Sequence, residues 1–399
     1  MSQQAAATDA PPRRSDLAPV RLGFAGVAGY GGELIDQLRS LEHRLAVPSA
    51  VAAVYEAFPE RAGELIYTLE AEGVHRHDTF DALLADPDVE MVWLPVPIHL
   101  HRDMTLAAFA AGKAVMCEKP ATASVAELKD MIAARDAAGL PLLIGFQEVY
   151  DPATRDLKQR LIDGVIGRVE RVSVRASWPR ADSYFARSDW AGRRTIDGAA
   201  VHDSPLANAL AHFVNLALLF AGVDRLDHAA TATDLDATLY RVNPIENFDT
   251  VTLRSPTDAG PELLVWLTHA GHELVHPVIQ IDGDAGRVTR TLGEVRIEPT
   301  NSEPEVITLR PRDRAPMFDA LGAVVRGLPN DRSIIATPEL AMPHTRLVEQ
   351  LAGLAIETIP EHAVETAEHP NGTLKFIPGI EQRFADAQTT GQAPLNLLP

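Results

Sequence analysis

From Val20 to Phe146 short apolar runs alternate with amphipathic stretches, and few folds accept that rhythm. "VRLGFAG", "AVAAVYE", "EMVWLPV", "AVMCE" and "LPLLIGF" are short and bounded by Gly, Pro or charge, as buried strands are. Between them "GELIDQLRSL", "PERAGELIYTLEAEG", "HRDMTLAAFAAG" and "SVAELKDMIAARDAAG" repeat apolar residues at helical spacing, two of them closing on Gly. Strand and helix in strict alternation build a parallel sheet covered on both faces. The expected fold is therefore a doubly wound α/β (Rossmann) domain over residues 18–148.

Beyond it the pattern changes. After one more helix, "DPATRDLKQRLIDGVIG", come longer runs of alternating polarity, among them "RVERVSVRASW", "HAATATDLDATLY", "DTVTLRS", "ELLVWLTHA" and "VIQIDGDAGRVTRT". Alternation implies a mainly antiparallel open sheet with one wet or partner-facing side. With the helix "SPLANALAHFVNLALLFAG" and a later pair near 314–327 and 337–357, residues 149–399 read as an α+β domain. Residues 1–17, rich in Ala, Gln and Pro, read as a disordered lead-in.

A chain of 399 residues suits two domains. Its net charge of −19 argues against nucleic acid and against an anionic membrane surface as partners. No run approaches the ~18 apolar residues that a membrane span needs. Arg13 and Arg14 could open an export signal, but Arg21 interrupts the apolar stretch that would follow. With Cys117 as its one cysteine the chain can form no internal disulfide, and the expected location is the cytoplasm.

The first strand runs into "GVAGYG", residues 26–31. Gly26 permits a tight bend, Ala28 is small where backbone must approach a pyrophosphate, and Gly31 lets helix and strand pack closely. An ordinary turn can look the same. The second strand ends at Glu56, placed either to bond the adenosine ribose hydroxyls or to sit solvated in a loop. Pro97, His99, His101 and Lys119 then fall at the carboxyl edge of the sheet, where open parallel sheets bind ligands. Lys119 precedes a proline, so its backbone is held extended and out of the next helix.

Taken together, "GVAGYG", "PIHLH", "CEKP" and "NALAH" before an apolar helix resemble the Gfo/Idh/MocA family of nicotinamide-dependent oxidoreductases, over about residues 20–380. The resemblance implies NAD, with NADP the less favoured cofactor, held by Gly26, Ala28, Gly29, Tyr30, Gly31, Glu56, Pro97, His101 and Glu118. It implies Lys119 as the catalytic group and a homodimer or homotetramer. The family's helix motif, Asp-x-Gly-x-His, falls on Asn208 and His212, four apart and so on one helix face. Asn208 departs from it, because an amide cannot accept and release a proton. Lys119 and His212 remain as the titrating pair, with Asn208 orienting hydroxyls.

In this family the nicotinamide exchanges a hydride with a carbon bearing a hydroxyl or carbonyl, commonly of a sugar, polyol or inositol. Tyr184, Arg187 and Trp190 in "SWPRADSYFARSDWAGRR", with Asp203 at the helix mouth, are the candidate substrate contacts; a loop packed at a domain or subunit junction would read alike. His269, His272 and His276 do not make a metal site, since His269 and His272 would point to opposite faces of a strand. Two other functions share the resemblance: a redox-neutral lyase or glycoside-cleaving enzyme with tightly bound NAD, and a non-catalytic NAD and ligand sensor. Lys119 argues against the sensor.

Overall fold

A computed structural model describes residues 17–330 and 333–398; the lead-in expected over 1–17 lies outside them but for Leu17. The first sheet is assembled from β1 (Val20–Ala25), α1 (Tyr30–Leu41), β2 (Ser49–Tyr55), α2 (Glu64–Ala71), β3 (His75–His77), α3 (Phe80–Ala85), β4 (Met91–Leu94), α4 (His101–Ala110), β5 (Ala114–Cys117), α5 (Val125–Ala138) and β6 (Leu142–Ile144). Its strands are parallel in the order β3-β2-β1-β4-β5-β6. Every residue of β4 and β5 is buried, as strands covered on both faces require. The order reverses between β1 and β4, which opens a crevice at the carboxyl ends of those strands. β3 has no counterpart in the sequence reading. His-Arg-His at a sheet edge carries none of the apolar signal by which the other strands are recognised.

The chain continues through α6 (Pro152–Ile162), β7 (Val169–Ser177), the short α7 (Asp182–Phe185), a small hairpin of β8 (Thr195–Ile196) and β9 (Ala199–Ala200), and α8 (Ala211–Ala221). Then come β10 (Asp236–Arg241), β11 (Thr250–Pro256), β12 (Glu262–Thr268), β13 (Val275–Gly283), β14 (Gly286–Arg290), β15 (Glu294–Pro299) and β16 (Glu305–Thr308). Last are α9 (Ala315–Val325), α10 (Pro338–Ala352), β17 (Ile356–Thr358), β18 (Glu365–His369), β19 (Gly372–Phe376) and α11 (Ile380–Thr390). The second sheet runs β16-β15-β14-β13-β7-β12-β11-β10-β17, antiparallel except where β7 meets β12 and β10 meets β17. α9 and α10 return from beyond this sheet to pack on α1, α5 and β6 of the first.

α8 is buried on every side, which accounts for its unbroken apolar sequence. It packs against β7, β12 and β13, with α6 and α10 against its other sides. Lys158 of α6 is wholly buried and donates its ammonium protons to the carbonyls of Leu219, Gly222 and His228 (3.1 Å for the last), closing the end of α8. Lys158→Met should therefore lower the free energy of unfolding by about 1–3 kcal/mol per carbonyl left unpaired, read by denaturant titration.

Part of the sheet's second face, across β10 and β12, is covered from within the chain. Leu263, Val265 and Leu267 of β12 join the main core, while Leu264 and Trp266, pointing the other way, pack with Tyr240, Ile380, Phe384 and Leu395. The C-terminal segment is pinned there: the Trp266 indole donates to Gln392 O (3.1 Å) and the Tyr240 hydroxyl to Leu395 O (2.9 Å). No helix among the described residues is long and apolar enough to cross a membrane.

Candidate active site at the sheet edge

The turn after β1 needs its glycines. Gly26 and Gly29 have φ of +98° and +61°, and a Cβ on Gly31 would lie 2.0 Å from the Gly26 carbonyl oxygen. The amides of Val27 and Ala28 donate to Glu56 Oε2 at 2.7 and 2.8 Å, and Phe58 N to Oε1 at 3.0 Å. Glu56, expected at a ribose, is thus folded onto the glycine turn. Its carboxylate shows that these two amides are presented to an oxyanion, which is what a pyrophosphate-binding turn requires.

At the ends of β4 and β5, Pro97 leads into a short 3₁₀ turn and α4. His101 is buried. Its Nδ1 lies 3.1 Å from both Pro120 O and Ala121 O, and its Nε2 2.9 Å from Val96 O. Burial holds its pKa below the ordinary range. Both ring nitrogens face backbone carbonyls, and the neutral ring donates its one N–H to one side, so His101 sits between the loop after β4 and the loop that carries Lys119. Glu118, also buried, accepts from the Trp93 indole (3.2 Å) and from Lys119 N (3.2 Å), and burial raises its pKa. Gly145 lies flat against this carboxylate, since a Cβ there would come within 2.6 Å of Oε2.

Lys119 Nζ donates to Asn208 Oδ1 and to the Asn208 carbonyl, both at 3.0 Å. Burial lowers the ammonium's pKa; Glu118 and Asp203 oppose that, while Arg187 and Arg314 add to it. Asn208 is not on α8. Residues Pro205–Ala209 form a π-helical turn capped by Ser204 Oγ, which accepts from Ala207 N (3.1 Å), and Leu210 breaks the path at φ −106°, ψ 8° before α8 begins. The sequence predicted one continuous helix with Asn208 and His212 on one face. The wider turn instead aims both the carbonyl and the amide of Asn208 at Lys119. Such bulges recur at functional sites.

His212 is 8 % exposed, and its Nδ1 is buried without a hydrogen-bond partner among the described residues. Burial, then Lys119, Arg312 and Arg314, push its pKa well below the ordinary value, so the ring is neutral near pH 7. Asn208 Nδ2 donates to Asp203 Oδ1 at 2.9 Å. Asp203, 3 % exposed, also accepts from Gly192 N (2.7 Å) and lies 3.5 Å from Arg187. Expected to touch substrate, Asp203 sits behind Asn208 with both oxygens engaged by the protein.

Arg187 stacks 3.7 Å over the Tyr184 ring and 4.8 Å from Trp190, so these three residues do come together beside Asp203. Sequence reasoning missed Arg180, which lies 4.6 Å over the same Tyr184 ring, and Arg314, which donates to the Tyr30 hydroxyl (2.9 Å) of the glycine turn. "RPRDR" before α9, a basic run in an acidic chain, was the available signal for Arg314. His269 is buried with Nδ1 2.8 Å from Trp178 O, and burial takes its pKa down to about 3. His272 packs on Phe376 instead. Elsewhere, His75 and His77 converge on one oxygen of Asp86 at 2.9 and 2.8 Å. Burial pushes that carboxyl up, but the two imidazole hydrogen bonds outweigh it and hold it at about 2.

Residues 20–146 match the oxidoreductase family with an NAD-binding Rossmann fold, GFO_IDH_MocA. An inositol 2-dehydrogenase of Saccharopolyspora erythraea is 36% identical over 193 residues, 46% of this chain and 52% of that protein. An inositol 2-dehydrogenase of Pseudomonas syringae is 36% identical over 147 residues, 36% of this chain and 42% of that protein. The chain thus spans about half the length, or less, of these curated relatives. Among solved structures, an aldose-aldose oxidoreductase from Caulobacter crescentus, complexed with glycerol, superposes with a TM-score of 0.67 at 21% identity, covering 84% of this chain and 96% of that one. A 3-ketoreductase from Actinomadura kijaniata, in complex with NADP and TDP-benzene, gives 0.66 at 22% identity over 86% of this chain and 100% of that one. At such identity these two speak for the fold alone. Over residues 20–146, from the strand that enters the glycine turn to the segment beyond Lys119, the chain is thus similar to the Gfo/Idh/MocA oxidoreductases.

Proposed function

We propose that the protein is an NAD-dependent oxidoreductase acting on a CH–OH carbon of a sugar, polyol or inositol-like substrate, with Lys119 as the proton-transfer group and His212 beside it. The observation that carries this reading is the line Lys119–Asn208–Asp203, which fixes an amine of lowered pKa at the ligand edge of the sheet. The family's NAD-binding fold and the inositol dehydrogenases among the relatives support the substrate class. The residues present fit the cofactor: Val27 and Ala28 amides already hold an oxyanion, and Arg314 adds a guanidinium beside Tyr30. Gly26, Gly29, Gly31 and Pro97 would shape its groove.

When bound, the nicotinamide supplies the hydride acceptor. The protein's part is to hold the hydroxyl and take its proton. Lys119, kept deprotonatable by burial, takes it. The free Nδ1 of neutral His212 bonds the same or a neighbouring oxygen. Asn208 cannot carry a proton, but its Oδ1 steadies the amine and its Nδ2 reaches Asp203, which supplies the carboxylate charge. Asp203 is thus a positioning residue. Tyr184, Arg187 and Trp190 line the substrate side. The work is done in the cytoplasm, as a homodimer or homotetramer.

Absorbance of the reduced nicotinamide, followed while NAD and a panel of inositols, polyols and aldoses are added to the purified protein, tests the reading. Turnover with at least one member is expected; none with any member, in either direction, would overturn it. Glu56 also bears on cofactor choice, since its carboxylate beside a 2′-phosphate would set like charges together. NAD is expected to bind about ten-fold or more tighter than NADP. Equal affinities in a calorimetric titration would remove Glu56 from that role.

A further inference from the structure

We infer that the substrate carries a carboxylate, received by Arg180 and Trp178 beside Tyr184; this rests on the oxidoreductase reading and narrows its substrate class. Trp178 Nε1 and Arg180 Nε are buried atoms with no hydrogen-bond partner among the described residues. Both groups can only donate. What they lack is lone pairs, not protons.

Charge points the same way. The chain has a net charge of −19, yet Arg180 forms no ion pair among the described residues. Of the nearby cations, Arg187 is paired with Asp203 and Arg290 and Arg312 with Glu148, while Arg314, whose Nε is likewise buried without a partner among the described residues, lies at the glycine turn, where it donates to the Tyr30 hydroxyl. Arg180 instead stands between two rings, 4.6 Å from that of Tyr184 and 5.7 Å from that of Trp178. Apart from a side-chain hydrogen bond to Tyr184, a guanidinium held in this way keeps in-plane donors, Nε among them, for a carboxylate.

The position is also right. Tyr184 carries Arg187 as well, 3.7 Å from its ring, and Arg187 pairs with the carboxylate behind Asn208 and Lys119. Trp178 meets Phe213, the neighbour of His212, with ring centroids 6.0 Å apart. A polyol with its reacting hydroxyl at Lys119 would therefore extend along this wall toward Arg180. A sugar acid, of the uronate or aldonate kind, offers both ends. A phosphate ester offers a dianion, for which one unpaired guanidinium and one indole are a poor match.

The test is equilibrium binding to the protein saturated with NADH, by calorimetry and thermal shift. Neutral aldoses, their matching uronates and aldonates, and hexose 6-phosphates are compared. At least one acid is expected to bind about ten- to a hundred-fold tighter than its neutral partner, the worth of a charge-assisted hydrogen bond. Arg180→Gln should bring the acid-to-neutral ratio to within about three-fold, while Arg180→Lys should keep part of the preference. Acids that bind no better than their neutral partners, a preference that survives in a folded Arg180→Gln, or a preference for the phosphate esters would each overturn the inference. Failure to bind NADH would count against the oxidoreductase reading itself, whereas NADH binding without acid preference sinks only the present inference.

Discussion

Lys119→Met is expected to lower turnover about 10²- to 10⁴-fold, the usual worth of a positioned acid or base, with little change in the affinity for NAD. Met fills the space of the aliphatic stem but ends in a group that binds no proton. The amine lies 3.0 Å from Asn208 Oδ1, and among the described residues no other lysine bonds to Asn208. The substitution also takes a cation from beside Glu118. That carboxyl is buried and its pKa already raised, so it can take up a proton instead of remaining an unpaired buried charge. The variant should therefore fold, which a thermal melt checks. Wild-type turnover in a folded variant would show that Lys119 is not the proton-transfer group. Loss of the fold would instead mark it as a structural ion-pair partner.

What could be read from the chain and what could not divide along the range of the forces involved. "GVAGYG" was legible because its demands are local: positive φ at Gly26 and Gly29 and no room for a Cβ at Gly31. The parallel sheet was legible because burial on both faces writes itself into each strand. β3 was not, since three polar residues at an edge are fixed by pairing with Ala53–Tyr55 and by Asp86, not by their own hydrophobicity. Nor was the cover on the second sheet, where Trp266 and Tyr240 find their partners more than a hundred residues away in the C-terminal segment. Within the site the residue types were legible and their orientations were not. Asp203 was expected at the substrate and is held by Asn208, because a π-helical turn replaces the start of a regular helix.

That turn leads to the second large expected effect. Asn208 has two faces, and its amide could present either to Lys119; the bond from Nδ2 to Asp203 selects the one in which Oδ1 accepts from Nζ. Asp203→Asn leaves one acceptor oxygen where Asn208 Nδ2 and Gly192 N now each have their own, so it weakens that selection as it removes the negative charge. Turnover should fall about 10²-fold, the cost of a misplaced reacting group. The charge has a separate signature. Asp203 raises the pKa of Lys119 against the effect of burial, so its loss lets that pKa fall, and the rising limb of the oxidation profile moves to lower pH. Asn208→Asp does the reverse. It sets a carboxylate where Oδ1 now lies, 3.0 Å from Nζ, so the pKa rises and the limb moves to higher pH. In the double variant Asp203→Asn, Asn208→Asp the charge is moved, not lost, and the limb should return to the wild-type position or above it. The chain has five lysines, so the titration of Lys119 can also be followed by nuclear magnetic resonance with labelled lysine, independently of any substrate. Lys119→Met assigns the signal. A purely structural Asp203 would lower activity and stability but leave the Lys119 titration where it was, and the double variant would then rescue nothing.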